Sequence, residues 1–297
     1  MPDHKERLQR ARTALEGLSV GDAFGEQFFN HSPEGRTPPP PPWPFTDDTN
    51  MALSIYAILR QHRGIDPDRL ARSFAEHYDP RRGYGMAMHG HLARIRGGAP
   101  WQEAARSLFG GEGSFGNGAA MRVAPVGAYF ADDLEATVEH ARRSAMVTHA
   151  HPEGIAGAVA VAVATAWAWR FRQTGATPAR RDFIQRMLPH VPPGQVREGI
   201  ARAGELPPDA TVREAARALG NGSRISAQDT VPFVIWCAGG SLGSYEEALW
   251  TTVSGGGDLD TTCAMVGGIV ATWAGVEAIP ASWRAAREPL PAWALEA

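Results

Sequence analysis

The sequence lacks the features that mark several protein classes. Only 21% of its 297 residues are charged, the formal net charge is −3, and no block of like charges stands out. Direct nucleic-acid binding or a membrane-surface role therefore has no electrostatic support. Cysteine is also scarce, since Cys237 and Cys263 are the only two and lie far apart among apolar residues. We predict that both are reduced core residues of a cytoplasmic protein rather than a disulfide pair.

A long hydrophobic segment is missing as well. The first ten residues, MPDHKERLQR, are polar, which argues against a secretory signal. The most apolar run, GIAGAVAVAVATAWAW at 154–169, is 16 residues long and is flanked by Glu153 and Arg170. A membrane span needs about 20 apolar residues. We therefore predict a helix buried on all sides and no membrane association.

Sustained alternation of apolar and polar residues is almost absent, which argues against a sheet. Helical periodicity dominates instead: apolar residues between 8 and 18 predict a first helix, broken up by Gly17 and Gly21, and those between 51 and 59 predict a second. Further helices are predicted at 67–78, 86–96, 100–109, 133–147, 153–172, 178–188, 194–203, 211–219, 230–238, 245–253 and 261–274. The fold class is therefore all-α, with about a dozen helices in a single domain over residues 1–297.

Two helix starts carry capping signals, and one loop is rich in proline. Asp132 is a predicted N-cap, and so is Thr177, which precedes a proline in the favoured first position. Five prolines at 38–42, within SPEGRTPPPPPWP at 32–44, predict an extended polyproline conformation. A stiff surface loop explains them, and a ligand for a proline-recognition domain is the alternative. Because the loop leads into 45–54, it can shape one wall of a site.

The stretch FTDDTNMALS at 45–54 places Thr46, Asp47, Asp48 and Thr49 together where a helix begins. Capping and the helix dipole explain one or two of these residues. They do not explain consecutive hydroxyl and carboxylate oxygens, which are the ligands that Mg²⁺ or Ca²⁺ prefers. The sequence therefore indicates a divalent-cation site at this helix start.

A second cluster of oxygen donors lies more than 200 positions later, in SGGGDLDTTCAMVGG at 254–268. Asp258 and Asp260 bracket one residue, Thr261 and Thr262 follow, and glycines precede them. If the two helix N-termini face each other, four carboxylates converge and can hold two divalent cations. Two independent helix caps remain the alternative.

Glycine-rich segments and histidines supply further candidates. In GGEGSFGNGAAMR at 110–122, backbone amides with Ser114 and Asn117 favour a phosphate or diphosphate cradle, against the alternative of a flexible loop. The segment lacks the lysine of a Walker loop, which disfavours nucleotide hydrolysis of that type. Gly21 and Gly25 in GDAFGE are typical of close helix packing. In THAHPEG at 148–154, two histidines at i, i+2 do not share a helix face, so we retain only His149, as a ligand contact.

Together these motifs resemble the ADP-ribosylglycohydrolase family, and they follow that family's order along nearly the whole chain. The matching stretches are GLSVGDAFG at 17–25, FTDDTNMALS at 45–54, SFGNGAAMRVAPVG at 114–127, THAHPEGIAGAVAVA at 148–162 and GGDLDTTCAMVGGIVAT at 256–272.

The resemblance implies a compact, orthogonal multi-helix fold with two magnesium ions at the bottom of a cleft. The implied metal ligands are Thr46, Asp47, Asp48, Asp258, Asp260 and Thr261. The residues implied to contact ADP-ribose are Ser114, Phe115, Gly116, Asn117 and His149. The implied binding partner is ADP-ribose or an ADP-ribosylated acceptor, and the protein is expected to be a monomer.

One position departs from the family pattern. The family places a glutamate four residues after the second glycine of the GDxxG motif, and this chain has Phe29 there. Glu26 directly follows Gly25 instead, and either takes over that role or leaves it unfilled. The departure puts the identity of the acceptor in doubt.

The function that the resemblance implies is magnesium-dependent hydrolysis of the glycosidic bond between ADP-ribose and an acceptor. Asp47 and Asp260, with Glu26 behind them, are the candidate catalytic carboxylates. The acceptor stays open between arginine, serine, threonine and a small molecule. The alternatives are a catalytically weak or inactive ADP-ribose-binding or structural homologue, and a magnesium-dependent phosphohydrolase.

Overall fold

The computed structural model describes residues 3–296, and within that range it contains sixteen α-helices and no β-strand. The predicted all-α class is confirmed. The helices are α1 His4–Gln27, α2 Asp47–His62, α3 Pro67–Glu76, α4 Met86–Arg96, α5 Trp101–Arg106, α6 Ala124–Tyr129, α7 Leu134–Met146, α8 Pro152–Thr174, α9 Arg180–Met187, α10 Gln195–Glu205, α11 Val212–Leu219, α12 Ala227–Gly240, α13 Tyr245–Val253, α14 Leu259–Ala274, α15 Ala281–Ala286 and α16 Ala292–Leu295. Short 3₁₀ turns at 34–36, 80–82, 108–111, 117–119, 188–190 and 276–278 connect them.

The helix count exceeds the predicted dozen because three short helices show little periodicity. These are α6, α15 and α16, of six, six and four residues. Helices that carry longer stripes were predicted well, and the bounds of α4 and α13 match the predicted 86–96 and 245–253. The prediction for α12 began at 230, but that helix starts at Ala227 and continues through Pro232.

Both predicted N-caps are wrong. The cap of α7 is Asp133, whose side chain accepts a hydrogen bond from the Ala136 amide at 3.0 Å. Asp132 instead forms ion pairs with Arg7 and Arg10 of α1. Helix α9 begins at Arg180, and its N-cap is Ala179 rather than Thr177. Asp132 does not cap α7 because its carboxylate pairs with arginines of α1. Thr177 lies before the N-cap residue of α9 and outside that helix.

Helix α1 is not broken at Gly17 and Gly21, contrary to the sequence-based prediction. It runs for 24 residues and presents a face of glycines to α14. A Cβ atom on Gly21 would lie 2.2 Å from the carbonyl oxygen of Cys263, and one on Gly25 would lie 2.3 Å from that of Leu259. The glycines therefore let two backbones approach closely, which confirms the close-packing interpretation and stabilises the helix through tertiary contact.

The close approach of α1 and α14 brings the two ends of the chain together. Gly25 lies against the first turn of α14, where a Cβ atom would be 2.8 Å from the Cα atom of Asp260. Asp22 and Glu26, on either side of Gly25, are thereby set beside the start of α14. Helix α2 also packs on α1 and places its own N-terminus at the same point.

Helix α8 contains the apolar run and lies in the core. It is long and apolar enough to cross a membrane by those two criteria, but 72% of its most apolar window is buried within the protein. It packs against α6, α7, α12 and α14. Burial against neighbouring helices accounts for its composition. Cys237 and Cys263 are free and buried, as predicted.

The proline run does not extend as predicted. The indole Nε1 of Trp43 donates a hydrogen bond to the carbonyl oxygen of Pro39 at 3.0 Å. Four residues of polyproline helix would separate these positions by about 12 Å, so the run folds back on the buried tryptophan. The Trp43 backbone also pairs with the C-terminal segment, because its amide donates to Ala286 and its carbonyl accepts from Glu288. These hydrogen bonds hold the proline-rich segment in place where it connects to α2.

Candidate functional site: an acidic centre between two cavities

Three helices converge on a cluster that we call the acidic centre. Its members are Asp22, Thr46, Asp47, Asp48, Asp258, Asp260 and Thr261. Thr46 is the N-cap of α2, and its hydroxyl accepts from the Asp48 amide at 3.4 Å. Asp258 is the N-cap residue of α14, and the preceding glycines adopt positive φ angles that turn the chain into the helix. The predicted convergence of two distant helix starts is thus present in the structure.

The carboxylates of the acidic centre are mutually close. One oxygen from each of Asp22, Asp48 and Asp260 lies within 4.8 Å of the other two. Asp48 is 1% exposed and Asp22 is fully buried. A cluster of this size and burial can hold a metal ion, because carboxylates brought so close repel one another unless a cation or protons compensate them.

Asp22 was not predicted as a site residue, although it lies in the motif that contains Glu26. Its carboxylate accepts hydrogen bonds from the Thr46 amide at 3.0 Å and the Thr46 hydroxyl at 2.8 Å. It also accepts from the amide and the hydroxyl of Thr49. A signal was available: an acidic residue next to Gly21 on a helix-packing face must be buried, and a buried carboxylate needs partners.

Two fully buried oxygen atoms of the acidic centre have no partner among the described residues. They are Oδ1 of Asp48 and Oδ1 of Asp260, and both are inaccessible to solvent. Unpartnered buried carboxylate oxygens are costly unless they bind a cation. Because every potential ligand atom in the acidic centre is oxygen, its residues fit a hard divalent cation better than a soft transition metal.

Burial raises the pKa values of these acids. The pKa of Asp22 and that of Asp258 rise to about 7, because burial disfavours the charged form and the charge of Asp260 adds to that effect. The pKa values of Asp47 and Asp48 are raised well above the usual aspartate value, first by burial and then by the charge of Asp260. The pKa of Glu26 rises to about 7, chiefly through burial. The protein therefore concentrates negative charge that only a cation or protons can offset.

On one side of the acidic centre lies a cavity of about 660 Å³, which we call the apolar cavity. All five predicted ligand-contact residues line it, together with four members of the acidic centre. These nine residues are Ser114, Phe115, Gly116, Asn117, His149, Asp47, Asp258, Asp260 and Thr261. Its volume is within the range of small-molecule sites, about 300–1,000 Å³.

The rim of the apolar cavity carries exposed hydrophobic side chains that sequence reasoning missed. Phe109 is 57% exposed, and its ring centroid lies 6.0 Å from that of Phe115. Ile225 is 65% exposed, and both Phe109 and Ile225 adopt positive φ angles. Such backbone strain at bulky residues is uncommon and concentrates at functional sites. No local sequence pattern predicts it.

The 114–118 segment connects the apolar cavity to the acidic centre. The side-chain amide of Asn117 donates to Oδ2 of Asp258 at 2.7 Å and to the hydroxyl of Thr230 at 3.1 Å. Ser114 accepts from the Gly116 amide through its hydroxyl at 3.1 Å. Asn117 therefore orients a carboxylate of the acidic centre, so its role differs from that of a ligand contact alone.

His149 lies deep in the apolar cavity and is 4% exposed. Its pKa is lowered well below the usual histidine value, first by burial and then by the positive charge of Arg122. The ring is therefore neutral. His151 instead caps α8, where its Nδ1 accepts from the Glu153 amide at 3.1 Å.

On the other side of the acidic centre lies a cavity of about 710 Å³, which we call the polar cavity. Its walls are Glu26, Phe29, Pro44, Phe45, Thr46, Asp79, Arg81, Arg82, Gly83, Asp258, Asp260 and Glu288. It shares Gly83, Asp258 and Asp260 with the apolar cavity. The two cavities thus meet at the acidic centre, and the proline-rich connector contributes Pro44 to the wall of the polar cavity, as predicted.

The helical fold and this centre define an all-α protein with a metal-competent acidic site where two cavities meet. The chain belongs to the ADP-ribosylglycohydrolase family, whose sequence model matches residues 3–296. The resemblance seen in its motifs is thereby confirmed.

Individual relatives support the same assignment. The chain is 29% identical to human ADP-ribosylhydrolase ARH3, over 93% of this chain and 88% of the relative. It is 31% identical to an uncharacterized protein of Archaeoglobus fulgidus, over 88% of this chain and 86% of the relative. Among solved structures, an ADP-ribosylglycohydrolase-related protein complex superimposes with a TM-score of 0.61 and 28% identity, covering 97% of this chain and 94% of that chain.

Proposed function

We propose that the protein is a magnesium-dependent hydrolase that cleaves the glycosidic bond between ADP-ribose and an acceptor, releasing free ADP-ribose. The observation that carries this proposal is the position of the acidic centre between two cavities that share Asp258 and Asp260. A bond that spans the boundary between the cavities lies against the carboxylates, with one part of the substrate on each side.

The apolar cavity suits ADP-ribose. Phe109, Phe115 and Ile225 offer apolar surface to a purine base at the rim. Farther in, the glycine-containing backbone at 114–118 and the ring of His149 meet the diphosphate and ribose. The distal ribose then reaches the acidic centre with its C1 carbon towards the polar cavity.

The acidic centre would hold two Mg²⁺ ions through Thr46, Asp47, Asp48, Asp258, Asp260 and Thr261. Bound Mg²⁺ would orient the ribose hydroxyls and lower the pKa of a bound water molecule. Asp22 supports this set, because it accepts the hydroxyl proton of Thr46, and since the Asp48 amide engages only one lone pair of that oxygen, the other stays free for a cation. Its own oxygens are already engaged by Thr46 and Thr49.

The catalytic carboxylates differ in the cavity that they face. Asp47 lines the apolar cavity, Glu26 lines the polar cavity, and Asp260 lines both. This difference supports a role for Asp47 and Asp260 in accepting a proton from a water beside the ribose. Glu26 would exchange a proton with the departing acceptor. Negative charge in both walls also stabilises the oxocarbenium character of the transition state.

The polar cavity takes the acceptor. It is lined by both signs of charge, with Arg82 paired to Glu288 and Asp79. Phe29 is 51% exposed on its wall, at the position where the family resemblance implies a glutamate. Its side chain brings apolar surface rather than another carboxylate beside Glu26. We therefore expect acceptor choice to depend on residue 29.

The test is incubation with arginine-, serine- and threonine-linked ADP-ribosyl peptides, in Mg²⁺ and in chelator. We expect chelator-sensitive release of free ADP-ribose from at least one peptide. Binding of ADP-ribose without turnover of any acceptor would support the inactive-homologue alternative. Release of inorganic phosphate with the ribose–acceptor bond intact would identify a phosphohydrolase.

A further inference from the structure

Arg122 is a buried cation with no carboxylate partner among residues 3–296. Its side chain is fully buried, in the wall of the apolar cavity. Its guanidinium lies 4.5 Å from the ring centroid of Phe74, and one nitrogen donates to the carbonyl oxygen of Ser144 at 3.1 Å. Buried arginines are usually paired with acids, so the neutral groups that surround this one need an explanation.

A chain of hydrogen bonds leads from Arg122 into the apolar cavity. Nη2 of Arg122 lies 2.8 Å from the hydroxyl oxygen of Thr148. The same oxygen lies 2.7 Å from Nδ1 of His149. Thr148 is fully buried and His149 almost so. Water is therefore excluded from the middle of this series of hydrogen bonds.

The direction of each hydrogen bond follows from the chemistry of its partners. A guanidinium only donates, so the Thr148 oxygen accepts from Arg122. The Thr148 hydroxyl must then donate its own proton, and the acceptor within hydrogen-bond distance among residues 3–296 is Nδ1 of His149. If Nδ1 carried a proton, the Thr148 hydroxyl would lose its acceptor in a buried site, and a buried donor without an acceptor is costly. Nδ1 is therefore unprotonated, and the proton of the neutral ring is on Nε2.

Nε2 faces the glycines of the 114–118 segment. A Cβ atom on Gly116 or on Gly118 would lie 3.3 Å from Nε2, so the absence of these side chains keeps that nitrogen accessible. Burial and the neighbouring charges of Arg122 and His91 lower the pKa of His149, which keeps the ring neutral while its tautomer is set.

We propose that Arg122 and Thr148 are positioning residues that hold His149 in its Nε2–H tautomer, so that the neutral ring donates a hydrogen bond into the apolar cavity. The recipient is an oxygen atom of the ligand, such as a phosphate or ribose oxygen. The identity of that ligand as ADP-ribose rests on the proposed function, whereas the tautomer does not.

The tautomer is tested in the ligand-free protein by two-bond ¹⁵N–¹H correlation NMR of ¹⁵N-histidine-labelled samples near neutral pH. His149→Gln assigns the resonance. We expect Nε2–H for the wild type and for Thr148→Ser, which keeps the hydroxyl, and a shift of population towards Nδ1–H for Thr148→Val, which has the same shape without it. Ser144→Ala is the control, because the Ser144 hydroxyl is buried near Arg122 without a hydrogen-bond partner, and it should leave the spectrum unchanged. An imidazolium or Nδ1–H ring in the wild type would overturn the proposal.

Calorimetric titration with ADP-ribose tests the consequence for binding. Thr148→Val should weaken affinity about tenfold, the worth of one well-placed hydrogen bond, while Thr148→Ser and Ser144→Ala stay near wild type. Equal affinity of the Val and Ser variants would contradict the donor role. If the wild type shows the expected tautomer but no affinity for ADP-ribose, the proposed function fails and the positioning role stands.

Discussion

The carboxylates of the acidic centre differ in the number of hydrogen bonds that their oxygen atoms accept. Asp22 receives hydrogen bonds from two threonines through both of its oxygens. Asp48 and Asp260 each have one buried oxygen without a partner. This difference assigns Asp22 to the orientation of Thr46 and leaves Asp48 and Asp260 available for cations, because a lone pair engaged by a protein donor is not free for a metal.

Replacing Asp260 by asparagine should separate catalysis from stability. We expect release of ADP-ribose to fall by roughly 100-fold or more, as for loss of a group that handles a proton or a cation. In chelator, however, the variant should be more stable by roughly 1 kcal/mol, because removing one charge relieves the repulsion that raises the pKa values of its neighbours. An assay of ADP-ribose release measures the fall in activity. Thermal unfolding with chelator and with Mg²⁺ measures the change in stability.

The matched control for Asp260→Asn is Asp209→Asn, since Asp209 is exposed and lies outside both cavities. This variant should leave activity and both melting temperatures unchanged. Wild-type turnover in Asp260→Asn, or a loss of stability in chelator, would count against the assigned role.

The pKa values of the acidic centre also predict how Mg²⁺ stabilisation changes with pH. Asp22 and Asp258 rise from 3.8 to about 7 in the folded chain without metal. The folded state therefore binds more protons than the unfolded state between these values, so these groups make stability fall as pH rises through that window. Cations bind the deprotonated form. We expect the gain in melting temperature on adding Mg²⁺ to grow from about pH 5 to about pH 7.

Subtracting the melting curves measured in chelator from those in Mg²⁺ removes the contribution of groups far from the centre. One such group is His140, whose pKa is lowered to about 4 by burial. A magnesium effect that does not vary with pH would show that the carboxylates are already ionised in the metal-free protein.

At the scale of helices, the glycine face of α1 determines where the site residues go. Without the close approach of α1 and α14, Asp22 and Asp260 would be kept apart by the width of side chains. Gly21→Ala should destabilise the protein by about 3 kcal/mol or more, because the new Cβ atom would meet the Cys263 carbonyl oxygen at 2.2 Å in rigid backbone. Urea unfolding measures the loss.

Gly90→Ala is the matched control for that substitution. Gly90 lies inside α4, and nothing is within 4 Å of its Cβ position. The same change should therefore stabilise the protein by roughly 0.5–1 kcal/mol, through helix propensity and reduced freedom of the unfolded chain. Equal effects at both positions would show that propensity rather than packing governs α1.

At the scale of the whole molecule, the side chain of Glu288, near the C-terminal end, holds the segment that leads into the acidic centre. Glu288 accepts from the Phe45 amide at 2.8 Å, one residue before Thr46. It also pairs with Arg82, which in turn donates to the Phe45 carbonyl oxygen at 2.8 Å. Three segments far apart in sequence thereby meet at the entry to α2.

Glu288→Ala should therefore weaken Mg²⁺ binding about fivefold and lower the free energy of unfolding by about 1–3 kcal/mol, because the partly buried Phe45 amide and Arg82 guanidinium lose their acceptor. Glu288→Gln retains an acceptor for the amide and should lose less. Isothermal titration with Mg²⁺ and urea unfolding measure the two effects. The control is Glu247→Ala at the Arg36 pair, where both side chains are about half exposed, and its effect should be near zero.

Sequence reasoning succeeded where a pattern was local. Long amphipathic and apolar stripes identified most helices, and the acid–threonine clusters identified most of the acidic centre. It failed where a distant partner decided the outcome. The glycines of α1 are helix breakers by propensity, yet they lie inside a 24-residue helix because α14 covers them. Asp132 is a plausible helix cap by its position in the sequence, but its carboxylate forms ion pairs with two arginines instead.

Local sequence patterns were enough to predict the all-α class and the chemical nature of the acidic centre, because hydrophobic periodicity and oxygen-ligand composition are properties of short segments. The tertiary structure alone decided that Asp22 belongs to the centre and that two cavities meet at Asp258 and Asp260. It also decided that Phe109 and Ile225 form a rim. The physical reason is that contact between segments more than 100 residues apart depends on how helices pack, which no local pattern encodes.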